Sequence, residues 1–448
     1  MEVSVNEGSG LQRHVTVTVP AERVNRELDE RLRKLARQVK LPGFRPGKVP
    51  LSVVESKYRD EVYGEVLNQL VSDTYSNALE ERELTPVAQP DLEPGELKRD
   101  QDFSYTATFE IYPELEPGGY REMSLKRPTA EVTDADIDQT IDRLREMRAE
   151  YVAVERAAAE GDKVLIDFRG TVDGEPFEGG QASDYELELG GGRHLPEMEQ
   201  GLVGAEPGET RTVDVPLPEE YPKEELAGKT ASFEVTVKEV REKQLPELDE
   251  EFLKSFGVED GQLETLRQDV KEGLEREIAD RGREELRRQI FDQLVEANDF
   301  EVPEQLVERQ LDRIIESQKN QYRQQGMDPE ALGLDSEEQR GQLRGMAATQ
   351  VKVGLLVPEI AQTEEVEVSD EEVKQELQQA AEQYGPQRDQ FLQWISQNPQ
   401  QYQEFEGRAL ETKVIDWIID NAQVSEEPTS VGSLLGWEEE ADPSESNG

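Results

Sequence analysis

The sequence predicts a multidomain α+β fold: an N-terminal α+β domain, a small antiparallel β domain and an all-α C-terminal body. Three observations predict it. Residues 2–112 mix strand-like alternation with helical spacing. Residues 161–242 hold short alternating runs with Gly and Pro turns between them. From Leu248 onward, apolar residues recur at helical spacing. A chain of 448 residues fits about two to four domains.

Taken in order, Val3 and Val5, then Val15, Val17 and Val19, alternate on either side of Gly8-Ser9-Gly10, which reads as a hairpin. Val24, Leu28, Leu32, Leu35 and Val39 give a helix over 21–40, and Val54, Tyr58, Val62, Val66, Leu70 and Leu79 another over 51–83. Strand-like pieces follow near Val87 and at Phe103–Ile111. Residues 113–160 read as a connector, broken by Pro113, Pro117, Gly118, Gly119 and Pro128. It carries a helix from about Thr133 to Tyr151 on Ile137, Ile141, Leu144 and Met147. Strands are expected at 164–172, 185–190, 210–215 and 232–240, with Asp173-Gly174 as a turn.

Leu266, Val270, Leu274, Ile278, Leu286, Ile290 and Leu294 define one long amphipathic helix ending near Asn298. Helices follow at about 303–325, 337–365, 370–384, 387–397 and 400–422, with Val307, Leu311, Ile314, Leu410, Val414 and Trp417 as core candidates. Pro358 should kink or end the second of these. Residues 424–448 are acidic and Ser- and Gly-containing, and are expected to be a disordered tail. Leu434, Leu435 and Trp437 stand in it, either as a docking motif or as scattered tail residues.

The net charge is −51, from 101 acidic and 50 basic residues. Carboxylates spread through periodic segments suggest a salt-rich cytoplasm, where hydrated acids keep a protein soluble and salt screens their repulsion. There are no cysteines, which excludes disulfides, thiol catalysis and Cys-ligated metal centres. The two histidines, His14 and His194, are too few and too far apart for a His-based metal site. No basic and apolar leader opens the chain and no run reaches a membrane-spanning length, so a cytoplasmic protein is expected. Gly228-Lys229-Thr230 has the tail of a P-loop, but Lys223 stands where its first Gly is needed, so neither ATP nor any other cofactor is expected.

One stretch departs from this acidity. Between Arg31 and Val54 there is no Asp or Glu, while Arg31, Arg33, Lys34, Arg37, Lys40, Arg45 and Lys48 are all cations. At its centre, Pro42, Gly43, Pro46, Gly47 and Pro50 force a loop that carries Phe44, Arg45 and Lys48. Two readings stand: a solvated face with a chance gap in acids, or a contact for a polyanion, nucleic acid in particular.

Gly43-Phe44-Arg45-Pro46-Gly47-Lys48-Val49-Pro50 resembles the signature loop of the trigger factors, the ribosome-associated chaperones of bacteria. Further resemblances follow in the same order: Glu131–Asp136, Ile166-Asp167-Phe168, Gly174–Gly180, Leu245–Leu248 and Phe256–Glu259, so that about residues 1–422 are covered. The resemblance implies a ribosome-binding domain (1–112) and a linker with a helix packing on the C-terminal body (113–160). It then implies a small antiparallel FKBP-like β domain with a short helix (161–244), an extended helical chaperone body (245–423) and the tail (424–448). It implies docking beside the exit tunnel, on a rim protein and nearby rRNA, through Gly43, Phe44, Arg45, Pro46, Gly47 and Lys48. The clients are nascent and unfolded polypeptides, and dimerisation away from the ribosome is a further family expectation. Pro46 departs from the family, which has a cation there.

Prolyl isomerisation faces a barrier of roughly 18–20 kcal/mol. Lowering it needs no nucleophile or metal, only a dry apolar cleft that favours the twisted amide. The candidate lining is Phe168, Phe177, Tyr185, Leu195, Met198, Tyr221 and Phe233. By resemblance to FKBP domains, Phe168, Phe177, Leu195, Tyr221 and Phe233 fall on pocket positions, with the Leu195 N–H and the Tyr221 hydroxyl holding substrate carbonyls. The same aromatics are equally readable as the core of a small β domain; Tyr221, in a loop, discriminates best. His194 reads as rim or surface. Met198 stands where FKBP pockets usually have an aromatic floor, so a ribosome-bound holdase with a weak or inactive isomerase is the alternative function.

Overall fold

The computed structural model describes residues 1–42, 44, 49–192, 194–218, 226–330 and 332–437. The chain forms two compact units: Met1–Arg127 with Arg283–Glu426, and Pro128–Gly282 with the described residues from Glu427 on.

At the N-terminus, β1 (Glu2–Glu7), β2 (Gln12–Val19), β3 (Asp91–Pro94) and β4 (Phe103–Glu110) form an antiparallel sheet in the order β1-β2-β4-β3. Helices α1 (Ala21–Gln38) and α2 (Leu51–Arg82) cover one face. The register Val15↔Ala107, Val17↔Tyr105 and Val19↔Phe103 puts the alternating apolar residues on that face. There they meet Val24, Leu28 and Leu32 of α1 and Val62, Val66 and Leu70 of α2. The opposite face pairs polar groups across the strands: Thr16 with Thr106, Thr18 with Ser104, and His14 Nδ1 with Thr108 Oγ1 at 2.9 Å. His14 thus belongs to a strand surface.

The connector holds β5 (Ser124–Thr129) and α3 (Asp134–Glu146), the latter opened by a Thr133–Asp136 capping box. Ile137 and Ile141 of α3 pack with Phe252, Leu253, Val258 and Leu266. The helix is shorter than its periodicity suggests. Met147 is 77% exposed, and Glu150–Val154 is a strand, β6, because its backbone pairs with a distant strand. That partner is β10 (Thr230–Gln244), the centre of a second antiparallel sheet with β7 (Lys163–Val172), β8 (Glu175–Glu188) and β9 (Thr210–Pro216). β10 pairs β7 along one edge, and β9 and β6 in succession along the other. The seven-residue α4 (Pro196–Leu202) lies against β9, where Gly201 lets the helix approach Val213.

Helices α5 (Glu250–Ser255), α6 (Leu263–Ala297), α7 (Glu304–Gln324), α8 (Glu337–Thr363), α9 (Asp370–Glu382), α10 (Arg388–Ser396) and α11 (Pro399–Asn421) follow. The apolar core of α7–α11 is divided. Val307, Leu311 and Ile315 meet Leu343 and Ala347, whereas Val373, Leu377, Ile395, Phe405 and Ala409 form a separate cluster. A third cluster joins Tyr120, Met123 and Leu125 to Leu286, Ile290, Leu356, Ile360 and Ile418. The carboxylate of Glu110 caps α7, accepting from the N–H groups of Glu304 (3.1 Å) and Gln305 (2.9 Å).

Of the two expected outcomes at Pro358, a kink or an end, the end does not occur: helix α8 runs on to Thr363. Pro358 and Gly354, one turn earlier, lie on the exposed side, so water can satisfy the Gly354 carbonyl, while buried Val353, Leu356, Val357 and Ile360 hold the other side. Nor is the segment after 424 a disordered tail as far as Trp437. Gln423–Pro428 forms β11, paired with β5, and Val431–Leu434 forms a short helix, α12, with Val431 buried. The Trp437 ring lies 4.3 Å from the Arg143 guanidinium. Acidic composition is outweighed because Val431 and Trp437 have partners. The remainder of that expectation, residues 438–448, lies outside the described residues.

Candidate functional site

The second sheet gathers the aromatic candidates. Phe168 on β7 meets Phe233 on β10 at 5.8 Å between ring centroids, and Phe177 on β8 meets Phe233 at 6.1 Å. Tyr185 on β8 stands edge-on to Phe168 at 5.6 Å. All three contacts are steeply inclined, the arrangement that aromatic quadrupoles favour. Phe168, Phe177 and Leu195 are half-buried against the core that contains Met198 and Phe233, and Tyr185 is 39% exposed. Phe168, Phe177 and Tyr185 are therefore open to a ligand, whereas Phe233 backs them from the core.

Glycines make the room. A Cβ on Gly170 would stand 2.5 Å from Phe233 Cε1, and one on Gly180 would stand 2.9 Å from the Phe177 ring. Each strand omits a side chain where a ring must lie flat on the backbone. Neither glycine was a site candidate from its residue type; the available signal was a glycine inside an alternating run.

A bulge aims Tyr185. Ile166 pairs with Tyr185, but Phe168 pairs with Ala182, so Ser183 and Asp184 together oppose Asp167 and β8 carries one extra residue. Asp184 has φ 55°, and its N–H donates to Asp167 Oδ1 at 2.8 Å. Lys238 bridges Asp167 (2.8 Å) and Asp184 (2.7 Å). The Lys238 ammonium, then the Asp184 N–H, hold the Asp167 carboxyl below the usual carboxylate range.

On the opposite rim, His194 Nε2 lies 3.4 Å from Tyr185 Oη, with ring centroids 5.7 Å apart. Leu195 is the N-cap of α4, and its carbonyl accepts from Met198 at 2.9 Å. Met198 is buried on that helix. The candidates Phe168, Phe177, Tyr185, Leu195, Met198 and Phe233 thus share one domain face. Tyr221 lies outside the described residues.

The docking candidates belong to the N-terminal domain. Leu41 and Val49 are both buried in its core, so the loop between them starts and ends on fixed points. Phe44 is 40% exposed, and its N–H donates to the Leu41 carbonyl at 3.2 Å. Lys34, Arg37 and Lys40 are exposed alongside. Arg31 is turned to Glu65, and Arg33 stands 3.9 Å from Asp29. Gly43, Arg45, Pro46, Gly47 and Lys48 lie outside the described residues.

Comparison with known proteins places the chain. Residues 1–144 match the family model of the bacterial trigger factor protein and residues 262–420 that of its C-terminus. Residues 154–238 match the FKBP-type peptidyl-prolyl cis-trans isomerase model. A trigger factor of Halorhodospira halophila is 41% identical over 98% of this chain and 99% of its own. One of Alkalilimnicola ehrlichii is 40% identical over 97% of this chain and 95% of its own. A solved structure of a trigger factor chaperone aligns with 94% of this chain and 99% of its own at 23% identity and a TM-score of 0.48. By the family models and by full-length identity to these relatives, the chain belongs to the bacterial trigger factor family.

Proposed function

We propose that this trigger factor is an ATP-independent cotranslational chaperone that docks at the ribosomal exit tunnel through residues 43–50. There it holds nascent chains and isomerises their X-Pro bonds. The family and the FKBP-type domain establish a trigger factor chaperone with an N-terminal ribosome-binding domain and peptidyl-prolyl cis-trans isomerase activity. The observation that carries the docking assignment is Phe44, exposed on a loop whose two ends are buried in a folded core. An aromatic held out in this way loses little freedom on binding. Arg45 and Lys48 add attraction to rRNA beside a rim protein, and Pro46 removes one cation, so Phe44 packing carries more of the affinity than charge does.

In the pocket, Phe168, Phe177 and Phe233 present an apolar wall to the prolyl ring, with Met198 as the floor. The planar amide loses resonance stabilisation as it twists, so an apolar wall penalises it less than water does. The Leu195 N–H and the Tyr221 hydroxyl are assigned to substrate carbonyls.

Clients rest on the helical body, where Met327, Leu332, Met346, Tyr384 and Trp394 are exposed. The divided core of the body leaves separate apolar patches with polar surface between them. Among the described residues no helix is long and apolar enough to cross a membrane. A cytoplasmic location, a salt-rich host and dimerisation off the ribosome complete the reading. The net charge of −51 supports the salt-rich host.

Ribosome co-sedimentation at several KCl concentrations tests the docking assignment. The Phe44→Ala plus Arg45→Ala variant should stay in the supernatant. If it pellets as fully as the unaltered protein, residues 43–50 are not the anchor.

A further inference from the structure

We propose that Glu199 is a positioning residue of the isomerase site, setting where the 190–195 loop presents His194 and Leu195 to the substrate. This deepens, and rests on, the pocket assignment above.

The carboxylate of Glu199 is 5% exposed, directly after Met198 on α4. Burying an ionised carboxylate costs several kcal/mol unless its oxygens are satisfied. Here they are satisfied by one loop. Gly190 (2.9 Å) and Gly192 (3.4 Å) donate their N–H groups to Oε2, and His194 (3.1 Å) donates to Oε1. Gly190 has φ +80° and Gly192 φ +66°. These left-handed conformations turn the backbone so that its N–H groups converge on one anion, as in an anion nest. In most such concavities the anion is a ligand; here the protein supplies its own.

The consequence lies one residue further on. His194 is pinned by its backbone N–H, so its ring is held against Tyr185. Leu195 follows and caps the helix that carries both Met198 and Glu199. Rim, floor and the assigned carbonyl donor are therefore set by one buried carboxylate that touches no substrate. A loop held only by its own glycines would wander, and a displacement near 1 Å at a reacting group lowers rates by roughly up to a hundredfold.

The test uses the full-length protein with Glu199→Ala and Glu199→Gln. Proline-limited refolding, thermal melting and suppression of client aggregation are all measured. The Ala variant should lose about ten- to a hundredfold in kcat/KM while remaining folded at the assay temperature and suppressing aggregation as before. The Gln variant, which keeps one acceptor oxygen, should recover most of the loss. The Ala variant acting within threefold of the unaltered protein overturns the proposal. So does an equal loss in both variants that simply tracks melting temperature. If the Ala variant does not fold, amide exchange in the unaltered protein decides. Slow exchange at Gly190, Gly192 and His194 supports the proposal, and exchange at free-loop rates overturns it. An unaltered protein without isomerase activity would instead contradict the pocket assignment itself.

Discussion

The two sheets of this protein use the same residue pattern to opposite ends. In β4, Phe103, Tyr105 and Phe109 alternate with polar residues and are almost wholly buried beneath α1 and α2. In the neighbouring strands β10, β7 and β8, Phe233, Phe168 and Phe177 also come together, but Phe168 and Phe177 are half-exposed and Tyr185 more so. Coverage is what differs. The first sheet has a helix of 18 and one of 32 residues over its inner face; against the second lies the seven-residue α4. The second sheet also leaves out side chains at Gly170 and Gly180, which settle its rings against backbone. A face filled by helices becomes core, and a face left short of helix leaves Phe168, Phe177 and Tyr185 partly exposed.

Emptying the filled face should have the largest effect. Phe103→Ala should lower the stability of the N-terminal domain by about 3–5 kcal/mol. Hydrogen exchange across β2 and β4 would register this as lost protection, with prolyl isomerase activity unchanged. Equal loss in the second sheet would show the two cores to be one cooperative unit.

Next in size is filling the relieved face. Gly170→Ala places a methyl group within 2.5–3.1 Å of the Phe233 and Phe177 rings. Overpacking of this kind costs about 1–3 kcal/mol, and if the displaced rings form the pocket wall as proposed, isomerase activity should fall by about tenfold. Activity retained in full would mean that these rings do not shape the site.

The smallest effect concerns the bulge beneath Tyr185. The Asp167 carboxyl, held down first by Lys238 and then by the Asp184 N–H, has a folded-state pKa below its ordinary 3.8. A depressed acid stabilises the fold above its ordinary value, and that contribution is lost as pH falls through the depressed one. The isomerase domain should therefore lose melting temperature below pH of about 4, and Asp167→Asn should flatten that dependence. An unchanged acid limb in the variant would leave the ion trio without a part in the fold.

Much of this was legible in the residues. Val15, Val17 and Val19 with Phe103–Phe109 declared the first sheet by period alone, and the helical body followed from Leu and Ile spacing. Strand alternation puts Phe168 and Phe233 on one face of the second sheet, while their reading as a pocket lining rests on the resemblance to FKBP domains. Period could not say whether that face was covered, since coverage depends on elements elsewhere in the chain. The same limit hid β6: Glu150–Val154 is a strand because β10, some 90 residues later, offers an edge. It hid β11 as well, whose Ser425 hydroxyl donates to the Leu125 carbonyl across 300 residues of sequence. Glu199 was invisible for another reason. It is one carboxylate among 101 acidic residues, and among the described ones only it and Asp162 are buried.

The proposed prolyl isomerase site is the glycine-relieved aromatic face of the second sheet. Proline-limited refolding of a client, catalysed by the full-length protein and by its Phe177→Ala variant, tests it most directly. Phe177 is half-buried, so the variant should fold while kcat/KM falls by about tenfold and suppression of client aggregation persists. A variant that catalyses refolding as well as the unaltered protein would contradict the claim.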